Sequence, residues 1–453
     1  MYDAISCSLP KEALKLLSVL DDAGAEAWVV GGFVRDSLLK RSVSDVDMAC
    51  STHWQETQRI CEEAGFATHE TGTKHGTLTV IVDGVAFEVT TFRIDGIYKD
   101  GRHPENVSFT QSIEEDLARR DFTINAMAYR PDKGLLDPFG GMRDIESRTI
   151  RTVGDPDKRF AEDGLRLLRA CRFSSELGYA IEHDTYAAMV RSKRYLRHIS
   201  TERVTHELNR LLLGACAGSA LVECVDVLCA VLPELVAMKG FEQKSPYHVY
   251  DVLKHTAKVI DGVPPYSLVR WAALFHDMGK PSAFFTDDAG VGHFYAHPDL
   301  SVPIARGVMQ RLTFSQATTA RVLTLVEHHD DVVQANAKSV RRMIGKLDGD
   351  VDLFRSLCDL KRGDARGKAP HLVEAQVEMV DDLERICDEL MDEGAALSVK
   401  DLAVNGRDVI ALGVKQGPEV GAMLDGLLNS VIEEAVENTR EALMAEVRRS
   451  LAD

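Results

Sequence analysis

The stretch that decides the fold is AWVVGGFVRDSLLKRSVSDVDMAC, residues 27–50. Its apolar run 27–30 predicts a buried strand, and Gly31-Gly32 predicts a tight turn that leads into a short helix over 33–40. A strand that passes through a glycine turn into a helix is typical of a small mixed sheet covered by helices. We therefore expect an α+β domain at the start of the chain.

Three acidic residues are candidates for the catalytic centre of this domain. The alternation in 44–50 predicts a strand, and side chains two residues apart on a strand share a face, so Asp45 and Asp47 should lie together. Glu88 lies in the middle of the next predicted hairpin, where a carboxylate is costly unless it is paired or binds a cation. Carboxylates on adjacent strands suit two-metal nucleotidyl transfer, and we expect Mg²⁺ there.

The turn between the first strand and helix supplies the other half of such a site. Backbone N–H groups at Gly31 and Gly32 can approach a triphosphate closely, and the guanidinium of Arg35 can bind phosphate oxygens. The ordered set of glycines, arginine and paired aspartates predicts a nucleotide site.

The rest of the chain changes from mixed to helical character. Runs 78–82 and 85–92 flank Asp83-Gly84, a type I′ hairpin signal, whereas helical periodicity dominates from about residue 155. The predicted domains are a head over 1–150, a helical neck over 151–240, a third domain over 245–366 and a helical tail over 367–453.

Composition sets limits on location and partners. The 453 residues carry a formal net charge of −18, but 142–211 holds 14 Lys and Arg against 11 Asp and Glu, so a local patch can still bind a phosphate backbone. Nine scattered cysteines with no C-x-x-C pair indicate reduced thiols. With no signal-like or membrane-spanning apolar segment, we expect a cytoplasmic protein without a membrane partner.

Four ordered blocks resemble the class II tRNA nucleotidyltransferase and bacterial poly(A) polymerase family, within the DNA polymerase β superfamily. The blocks are Val30–Leu39 with Asp45-Val46-Asp47, Arg119–Ala126, Glu162–Phe173, and Thr201–Val204 with Glu207-Leu208. The resemblance implies a polymerase-β-like head that adds CCA to the 3′ end of tRNA from CTP and ATP. It also implies nucleotide-binding roles for Arg120, Asp121 and Asn125.

The third block suggests how bases are chosen. On one continuous helix, each of Asp163, Arg166 and Arg169 would be rotated about the helix axis by 60° from the one before it. The three would then form a stripe on one surface. In the family the Asp and first Arg serve as an amino-acid template: the carboxylate accepts from the exocyclic amine of C or A, and the guanidinium donates to ring acceptors. Arg172 points away on this helix and is expected to contact phosphate or tRNA, or to brace the neck.

The particular activity within the family has alternatives. Segment 93–104 resembles the flexible loop of enzymes that add the final A, and 71–82 lacks the arginine-rich variant of poly(A) polymerases. Full CCA addition is favoured, with A-only addition and poly(A) synthesis as alternatives. A regulatory nucleotidyltransferase linked to a messenger hydrolase is the alternative from another class.

The ordered histidines and aspartates of the third domain resemble the HD phosphohydrolase superfamily. The predicted ligands of a divalent metal of unknown identity are His255, His276, Asp277 and Asp364, with His297 and His328 as additional candidates. We choose Asp364 over Asp330 and Asp359. Whether this domain hydrolyses phosphate esters and whether the chain forms a homodimer remain open at this level.

Overall fold

The computed structural model describes residues 3–43, 45–72, 76–95 and 107–452. The chain divides into two compact units. The first comprises Met1–Leu211 with Asp226–Val231, and the second comprises Leu212–Val225 with Leu232–Asp453.

A seven-stranded sheet with strand order β3-β4-β5-β2-β1-β8-β9 forms the centre of the first unit. The strands of this unit are β1 Ala27–Val30, β2 Asp47–Cys50, β3 Ala67–Gly72, β4 Thr77–Val82, β5 Val85–Thr91, β6 Arg93–Asp95, β7 Val107–Phe109, β8 Ala128–Arg130, β9 Gly134–Leu136, β10 Thr149–Ile150 and β11 Ala180–Ile181. Within the large sheet β2 and β5 are parallel, and the other neighbours are antiparallel. The sheet confirms the predicted α+β head.

The hairpin of β4 and β5 confirms the prediction made from Asp83-Gly84. Val82 pairs with Val85, and the two turn residues have φ angles of 50° and 88°. A type I′ turn requires positive φ at both central positions, and its twist matches that of the strands. This turn therefore sets the register that places Glu88 opposite Thr79.

The strand that carries the first aspartates is shorter than predicted. β2 begins at Asp47, so Asp45 precedes the strand instead of sharing its face. The expected alternation still holds for the apolar side chains, since Val46 and Met48 are buried.

Helices cover the sheet and form most of the chain after residue 155. Those of the first part are α1 Asp3–Ser8, α2 Lys11–Asp22, α3 Gly32–Leu38, α4 Trp54–Glu63, α5 Ile113–Ala118, α6 Gly141–Glu146, α7 Pro156–Glu162, α8 Leu165–Leu177, α9 His183–Ser192 and α10 Thr201–Leu212. A buried cluster that includes Trp28, Phe92 and Leu117 packs helix α5 against the sheet. The same cluster includes Ala49 of β2, so this packing supports the central strand that begins at Asp47.

The second unit is almost entirely helical. Its region of the chain contains α11 Ala217–Glu223, α12 Val225–Leu228, α13 Leu235–Met238, α14 Val252–Gly262, α15 Ser267–Phe275, α16 Lys280–Ala283, β12 Phe285–Thr286, β13 Gly292–His293, α17 His297–Arg311, α18 Gln316–His328, α19 Ala337–Lys346, α20 Val351–Gly367, α21 Pro370–Asp392, α22 Gly406–Ala411, α23 Pro418–Ile432 and α24 Arg440–Ala452. Helix α14 packs against α15 and α20, and β12 pairs with β13 in a small hairpin.

Three further observations concern the sequence predictions. All nine cysteines are free thiols. Most of the predicted loop 93–104 lies outside the described residues. Across the ranges described above, no helix combines the length and the apolar character that a membrane span needs.

Candidate functional site

Carboxylates of two neighbouring strands lie side by side in the first unit. Asp47 of β2 is the direct partner of Glu88 on the parallel strand β5. Both side chains are exposed, whereas the residues that follow them, Met48 and Val89, are buried. Because successive side chains alternate across a sheet, the two carboxylates occupy the same solvent-facing side.

The charge environment of Asp47 favours a cation. Partial burial and the negative charge of Glu88 raise the pKa of Asp47, and Asp45 adds to this effect while Arg120 opposes it. A raised pKa means that the surroundings disfavour a second negative charge. A divalent ion beside these oxygens would remove that repulsion, so the carboxylates fit the predicted metal site.

The glycine turn brings the backbone close to an arginine. Gly31 has φ of 72° and directly precedes α3, and a Cβ atom there would lie 2.8 Å from Nη1 of Arg120. Any side chain at this position would strain the backbone and displace the guanidinium. The glycine predicted for nucleotide binding therefore also makes room for a predicted nucleotide-binding arginine.

A chain of hydrogen bonds joins polar residues of the first three blocks. Arg169 donates through Nε to Asp121 Oδ2 at 2.7 Å, and Asn125 donates through Nδ2 to Asp121 Oδ1 at 3.2 Å. Arg35 donates through Nη1 to Asn125 Oδ1 at 2.6 Å and also pairs with Asp36. The structure thus places Asp121 and Asn125 as the link that orients two arginines.

Electrostatics make Asp121 a fixed anion. Burial alone would raise its pKa, but the positive charges of Arg169 and Arg166, together with hydrogen bonds from Arg169 and Asn125, hold the pKa of Asp121 well below its usual range. A carboxylate that stays ionised keeps its arginine partner in place over the whole physiological pH range.

These residues surround a cavity of about 580 Å³, which we call the head cavity. Its lining includes eight arginines and five aspartates, a formal balance of +3. The charged residues are Arg35, Arg119, Arg120, Arg166, Arg169, Arg172, Arg203, Arg210, Asp36, Asp45, Asp47, Asp121 and Asp163. A local excess of positive charge in an acidic chain attracts polyanions to this one place. Glu88 is not among the lining residues.

The predicted stripe of Asp163, Arg166 and Arg169 on one helix is wrong. Helix α7 ends at Glu162, Asp163 has extended backbone angles of −140° and 107°, and α8 begins at Leu165. Beside the break, Gly164 packs closely on a distant segment, because a Cβ there would lie 3.0 Å from the Cβ and carbonyl oxygen of Tyr195. Both Asp163 and Arg166 nevertheless line the head cavity.

Each member of this pair is held by a different partner. Asp163 accepts from Nη2 of Arg203 at 3.1 Å and from the backbone N–H of Leu165 at 2.9 Å. Arg166 donates to Glu162 at 2.5 Å and to the carbonyl oxygens of Arg159 and Arg119. Asp163 and Arg166 are therefore oriented independently, not by a salt bridge to one another.

Arg172 also lines the head cavity. Its side chain is buried, ion-paired with Glu207 at 3.1 Å and 3.7 Å from Glu176, and it stacks on Phe173. Burial and the nearby charge of Arg169 lower the pKa of Arg172 to about 10. Of the alternatives predicted for Arg172, these contacts favour bracing.

The second unit brings four histidines and two aspartates together, a group that we call the histidine cluster: His255, His276, His297, His329, Asp277 and Asp364. Asp277 lies at its centre. Oδ2 of Asp277 is 3.3 Å from His255 Nε2 and 3.2 Å from His276 Nε2, and Oδ1 is 3.2 Å from His297 Nε2. One carboxylate therefore faces histidines on both of its oxygens.

Backbone carbonyls fix the orientation of all four rings. Each Nδ1 lies 2.6–3.1 Å from a carbonyl oxygen, in the pairs His255–Gly367, His276–Ala273, His297–Phe294 and His329–Val326. A carbonyl only accepts, so each Nδ1 carries the proton and a neutral ring presents its Nε2 lone pair to the cluster. Second-shell contacts of this kind orient histidines that bind metals.

The facing nitrogens give a direct test of whether a cation fits. Nε2 of His255 is 3.4 Å from Nε2 of His276, and Nε2 of His297 is 3.0 Å from Nε2 of His329. Two lone pairs at this distance repel unless a proton or a metal ion lies between them. The donor set of imidazoles and carboxylates suits a divalent transition metal.

His329, rather than the predicted His328, belongs to the cluster. His329 is buried, while His328 is partly exposed and its Nδ1 lies 3.0 Å from Asp331. Consecutive residues at the end of a helix point about 100° apart, so only one of the pair can face the cluster. Asp364, which was chosen over Asp330 and Asp359, lies 3.1 Å from His255 Nε2. Asp359 instead accepts a hydrogen bond from the hydroxyl of Tyr266.

Two lysines that sequence reasoning did not select also reach the cluster. Lys280 Nζ is 2.8 Å from Asp277 Oδ2, and Lys368 Nζ is 2.7 Å from Asp364 Oδ2. Lys280 lies three residues after Asp277, across the turn that joins α15 to α16, and this proximity along the chain was the available signal for it.

Arg203 is one of the charged residues of the head cavity that the sequence did not predict, together with Asp36, Arg119 and Arg210. It stood in the fourth block without a role, and its contact with Asp163 spans forty positions of the chain. No local pattern predicts such a pairing.

Carboxylates on adjacent strands, beside a cavity lined by arginines, are characteristic of a nucleotidyltransferase. The family model of the poly A polymerase head domain matches residues 27–151, and the models for the probable RNA and SrmB-binding site of polymerase A, the HD domain and the putative tRNA nucleotidyltransferase domain 2 match 178–237, 247–386 and 376–447.

Whole-chain comparisons agree with these matches. The chain is 36% identical over 441 residues to the CCA-adding enzyme of Geobacillus thermodenitrificans and 35% identical over 442 residues to that of Geobacillus stearothermophilus, with 96% of each chain covered. The crystal structure of the Bacillus stearothermophilus CCA-adding enzyme in complex with CTP superposes with a TM-score of 0.71 at 30% identity, covering 98% of this chain and 97% of that one. The chain belongs to the CCA-adding enzyme family.

Proposed function

We propose that this protein adds CCA to the 3′ end of tRNA, using CTP and ATP. The observation that carries the proposal is one cavity that holds the carboxylates Asp45 and Asp47 together with Asp163 and Arg166. The residues proposed for catalysis and those proposed for base recognition therefore line one cavity, which is large enough for a nucleoside triphosphate. Family membership and the CTP complex of the related enzyme support the same conclusion.

Asp45 and Asp47 are the proposed ligands of Mg²⁺, with Glu88 beside them on β5. When bound there, divalent ions lower the pKa of an attacking 3′-hydroxyl and neutralise charge on the triphosphate and the leaving pyrophosphate. The raised pKa of Asp47 supports this assignment, because crowded carboxylates gain most from a cation.

Arginines of the head cavity are proposed to hold the triphosphate. Arg35 and Arg120 flank the Gly31 turn, and the link through Asn125 and Asp121 keeps Arg35 and Arg169 at fixed positions. Preorganised donors stabilise developing charge without having to reorient. These contacts reach phosphate oxygens and should act on every nucleotide alike.

Asp163 and Arg166 are proposed to recognise the base. Asp163 uses two of its acceptor positions on Arg203 and Leu165, and an ionised carboxylate has about four. Arg166 uses donors on Glu162, Arg159 and Arg119, and a guanidinium has five N–H groups. Each therefore retains capacity for the amine and the ring acceptor that C and A present together, a pattern that G and U lack.

The experiment that tests the function supplies each nucleotide separately and together to tRNA that lacks its CCA end. CCA addition predicts extension by two residues with CTP alone and by three with CTP and ATP. Extension only of tRNA that already ends in CC would identify an A-only enzyme, and long A tracts on unrelated RNA would identify a poly(A) polymerase. Because the substrate is tRNA, the proposal keeps the cytoplasmic location predicted from the sequence.

The histidine cluster carries a second proposal, a divalent metal site in an HD domain. His255, His276, Asp277 and Asp364 are the proposed ligands, and His297 and His329 offer a further set around the other oxygen of Asp277. A metal held there would supply a Lewis acid for phosphate ester hydrolysis. Metal content of the purified full-length protein tests binding, and a panel of phosphate esters tests hydrolysis.

A further inference from the structure

A buried carboxylate on helix α5 pairs with two arginines of the head cavity. Asp116 is fully buried, and a charge in that setting is costly unless it is paired. Its Oδ1 accepts from Nε and Nη2 of Arg119 at 2.9 and 2.8 Å, and its Oδ2 accepts from Nη2 of Arg120 at 3.2 Å. Both arginines line the cavity, whereas Asp116 is not among the lining residues. Asp116 can therefore influence a bound nucleotide only through its partners.

The same carboxylate is tied to the core of the sheet. Oδ1 of Asp116 also accepts from the backbone N–H of Arg93, the first residue of β6, at 3.3 Å. Arg93 directly follows Phe92, which is buried in the cluster that packs α5 on the sheet. The two arginines are thus connected through Asp116 to a segment that lies outside the cavity.

Electrostatics keep Asp116 ionised. Burial alone would raise its pKa, but the positive charges of Arg119 and Arg120, together with hydrogen bonds from Arg119 and the backbone of Arg93, hold the pKa of Asp116 below its usual range. A permanent negative charge between two neighbouring guanidinium groups offsets their mutual repulsion and keeps both in place.

The end of helix α5 also holds the arginine proposed for base recognition. The helix ends at Ala118, and the last carbonyl groups of a helix have no partner within it. Nη2 of Arg166 donates to the carbonyl oxygen of Arg119 at 3.0 Å. Arg159 donates to the carbonyl oxygens of Arg119 and Ala118 at 3.1 and 2.8 Å. The position of Arg166 therefore depends on the main chain at Arg119, whose side chain is held by Asp116.

We propose that Asp116 is a positioning residue for nucleotide selection, because it holds Arg120 beside the Gly31 turn and, through Arg119, sets the position of Arg166. The inference rests on the roles proposed above for Arg120 in phosphate binding and Arg166 in base recognition. Those two roles then share one anchor, and loss of the anchor impairs both.

Steady-state kinetics of full-length Asp116→Asn, with tRNA that lacks its CCA end, test this inference. Asparagine keeps the size of the side chain but presents an N–H group to one of the guanidinium groups that now donate to it. Hydrogen bonds to charged groups are the stronger ones, so KM for CTP and the inhibition constant of pyrophosphate should both rise by about tenfold. Discrimination of C against U should fall by a smaller factor, since Arg166 is held indirectly.

Three further variants complete the design. Asp116→Glu keeps the charge but displaces it by one methylene, so it should show the same changes to a smaller extent and provides the test should Asp116→Asn not fold. Glu114→Gln, at an exposed position of the same helix, should change none of these quantities. Leu117→Ala removes a buried side chain of the cluster beside α5, so it should lower the urea midpoint of unfolding without altering KM, the pyrophosphate constant or base discrimination.

Equal changes in Asp116→Asn and Leu117→Ala would overturn the inference, because Asp116 would then only stabilise the fold. So would a KM and a discrimination that Asp116→Asn leaves unchanged. Arg120→Ala and Arg166→Ala, measured in the same assay, separate this inference from the roles on which it rests. If these two variants alter KM or discrimination while Asp116→Asn does not, the inference alone fails. If neither alters them, the roles proposed for the two arginines fail, and the inference fails with them.

Discussion

The head cavity and the histidine cluster both collect charge, but they stabilise it differently. In the head cavity, arginines pair with carboxylates, as Arg169 does with Asp121 and Arg203 with Asp163, and the surplus is positive. In the cluster, the Nε2 atoms of four histidines lie within 3.8 Å of Asp277. The first arrangement supplies its own counter-charges and can receive a polyanion, whereas the second is a donor set that suits a cation.

The largest expected effect concerns the carboxylates of the head cavity that are proposed to bind Mg²⁺. Asp47→Ala should reduce CTP incorporation by at least about 1,000-fold, since losing a metal-binding carboxylate costs on the order of 4 kcal/mol of transition-state stabilisation. Single-turnover extension of tRNA measures the rate. Asp83→Asn is the matched control, because Asp83 is an exposed carboxylate in the hairpin turn and Asn tolerates its φ of 50°. Comparable rates for the two variants would remove Asp47 from the metal site.

A smaller effect tests whether the ion pairs between residues of the head cavity stabilise the folded unit. Asp121→Asn should destabilise the unit that contains it by about 3 kcal/mol, because Arg169 loses its partner. The pKa of Asp121 in the folded protein lies below its ordinary value of 3.8, so the pair stabilises fully above about pH 4 and progressively less as the pH falls toward the folded pKa.

Urea unfolding between pH 7 and pH 3 measures the difference in the free energy of unfolding between wild type and Asp121→Asn. This difference should be largest near neutral pH and should become smaller in acid. The control is Asp157→Asn, whose partner Arg191 is exposed, since surface pairs contribute about 0–1 kcal/mol. A pH-independent gap between wild type and Asp121→Asn would mean that lost packing, not lost charge, explains the change.

Removing one imidazole ring tests whether the histidine cluster binds a metal ion. His276→Ala should weaken Mn²⁺ binding by about 100-fold, in line with losses seen when metal-site partners are removed. Equilibrium dialysis followed by metal analysis gives the affinity. His328→Ala provides the control, because this ring lies beside Asp331 instead of in the cluster. If His328→Ala weakened Mn²⁺ binding as much as His276→Ala does, His328 would belong to the metal site.

The smallest expected effect separates base recognition from phosphate binding inside the head cavity. Asp163→Ala should relax discrimination of C and A against U and G by about tenfold, because a base left without its partner loses on the order of 1–3 kcal/mol. Arg203→Ala should change selectivity in the same direction but less, since Arg203 acts by positioning Asp163. Arg35→Ala should slow all four nucleotides by a common factor.

The measurement is kcat/KM for each nucleotide with tRNA that lacks its last residues. Arg203→Lys keeps the charge but cannot reproduce the planar geometry of the guanidinium, so partial rescue is expected. A uniform slowing by Asp163→Ala would place base recognition elsewhere.

Local signals predicted the head well where neighbours along the chain decide the structure. The Asp83-Gly84 turn needs only its own positive φ angles, and the burial of Val46 and Met48 follows from strand alternation. Periodicity failed at Asp163, whose backbone is extended and whose carboxylate pairs with Arg203, a contact between distant segments. Helical propensity contains no information about such a contact.

The same limit explains the histidine cluster. Spacing identified His276-Asp277 and Asp364, but the choice between His328 and His329 depends on the direction that the end of α18 faces. One residue of helix phase separates the two, and packing of the helix decides it. Arg203 shows the extreme case, since its importance appears only when α10 reaches Asp163.

The concentration of arginines around one cavity also has a kinetic meaning. The whole chain carries a formal charge of −18, whereas the residues that line the head cavity carry an excess of positive charge. A field that is positive at the cavity favours the approach of a polyanion to it. Screening over about 8–10 Å at ordinary salt would blunt this guidance. The association rate with tRNA should therefore fall as ionic strength rises, even where the bound complex itself changes little.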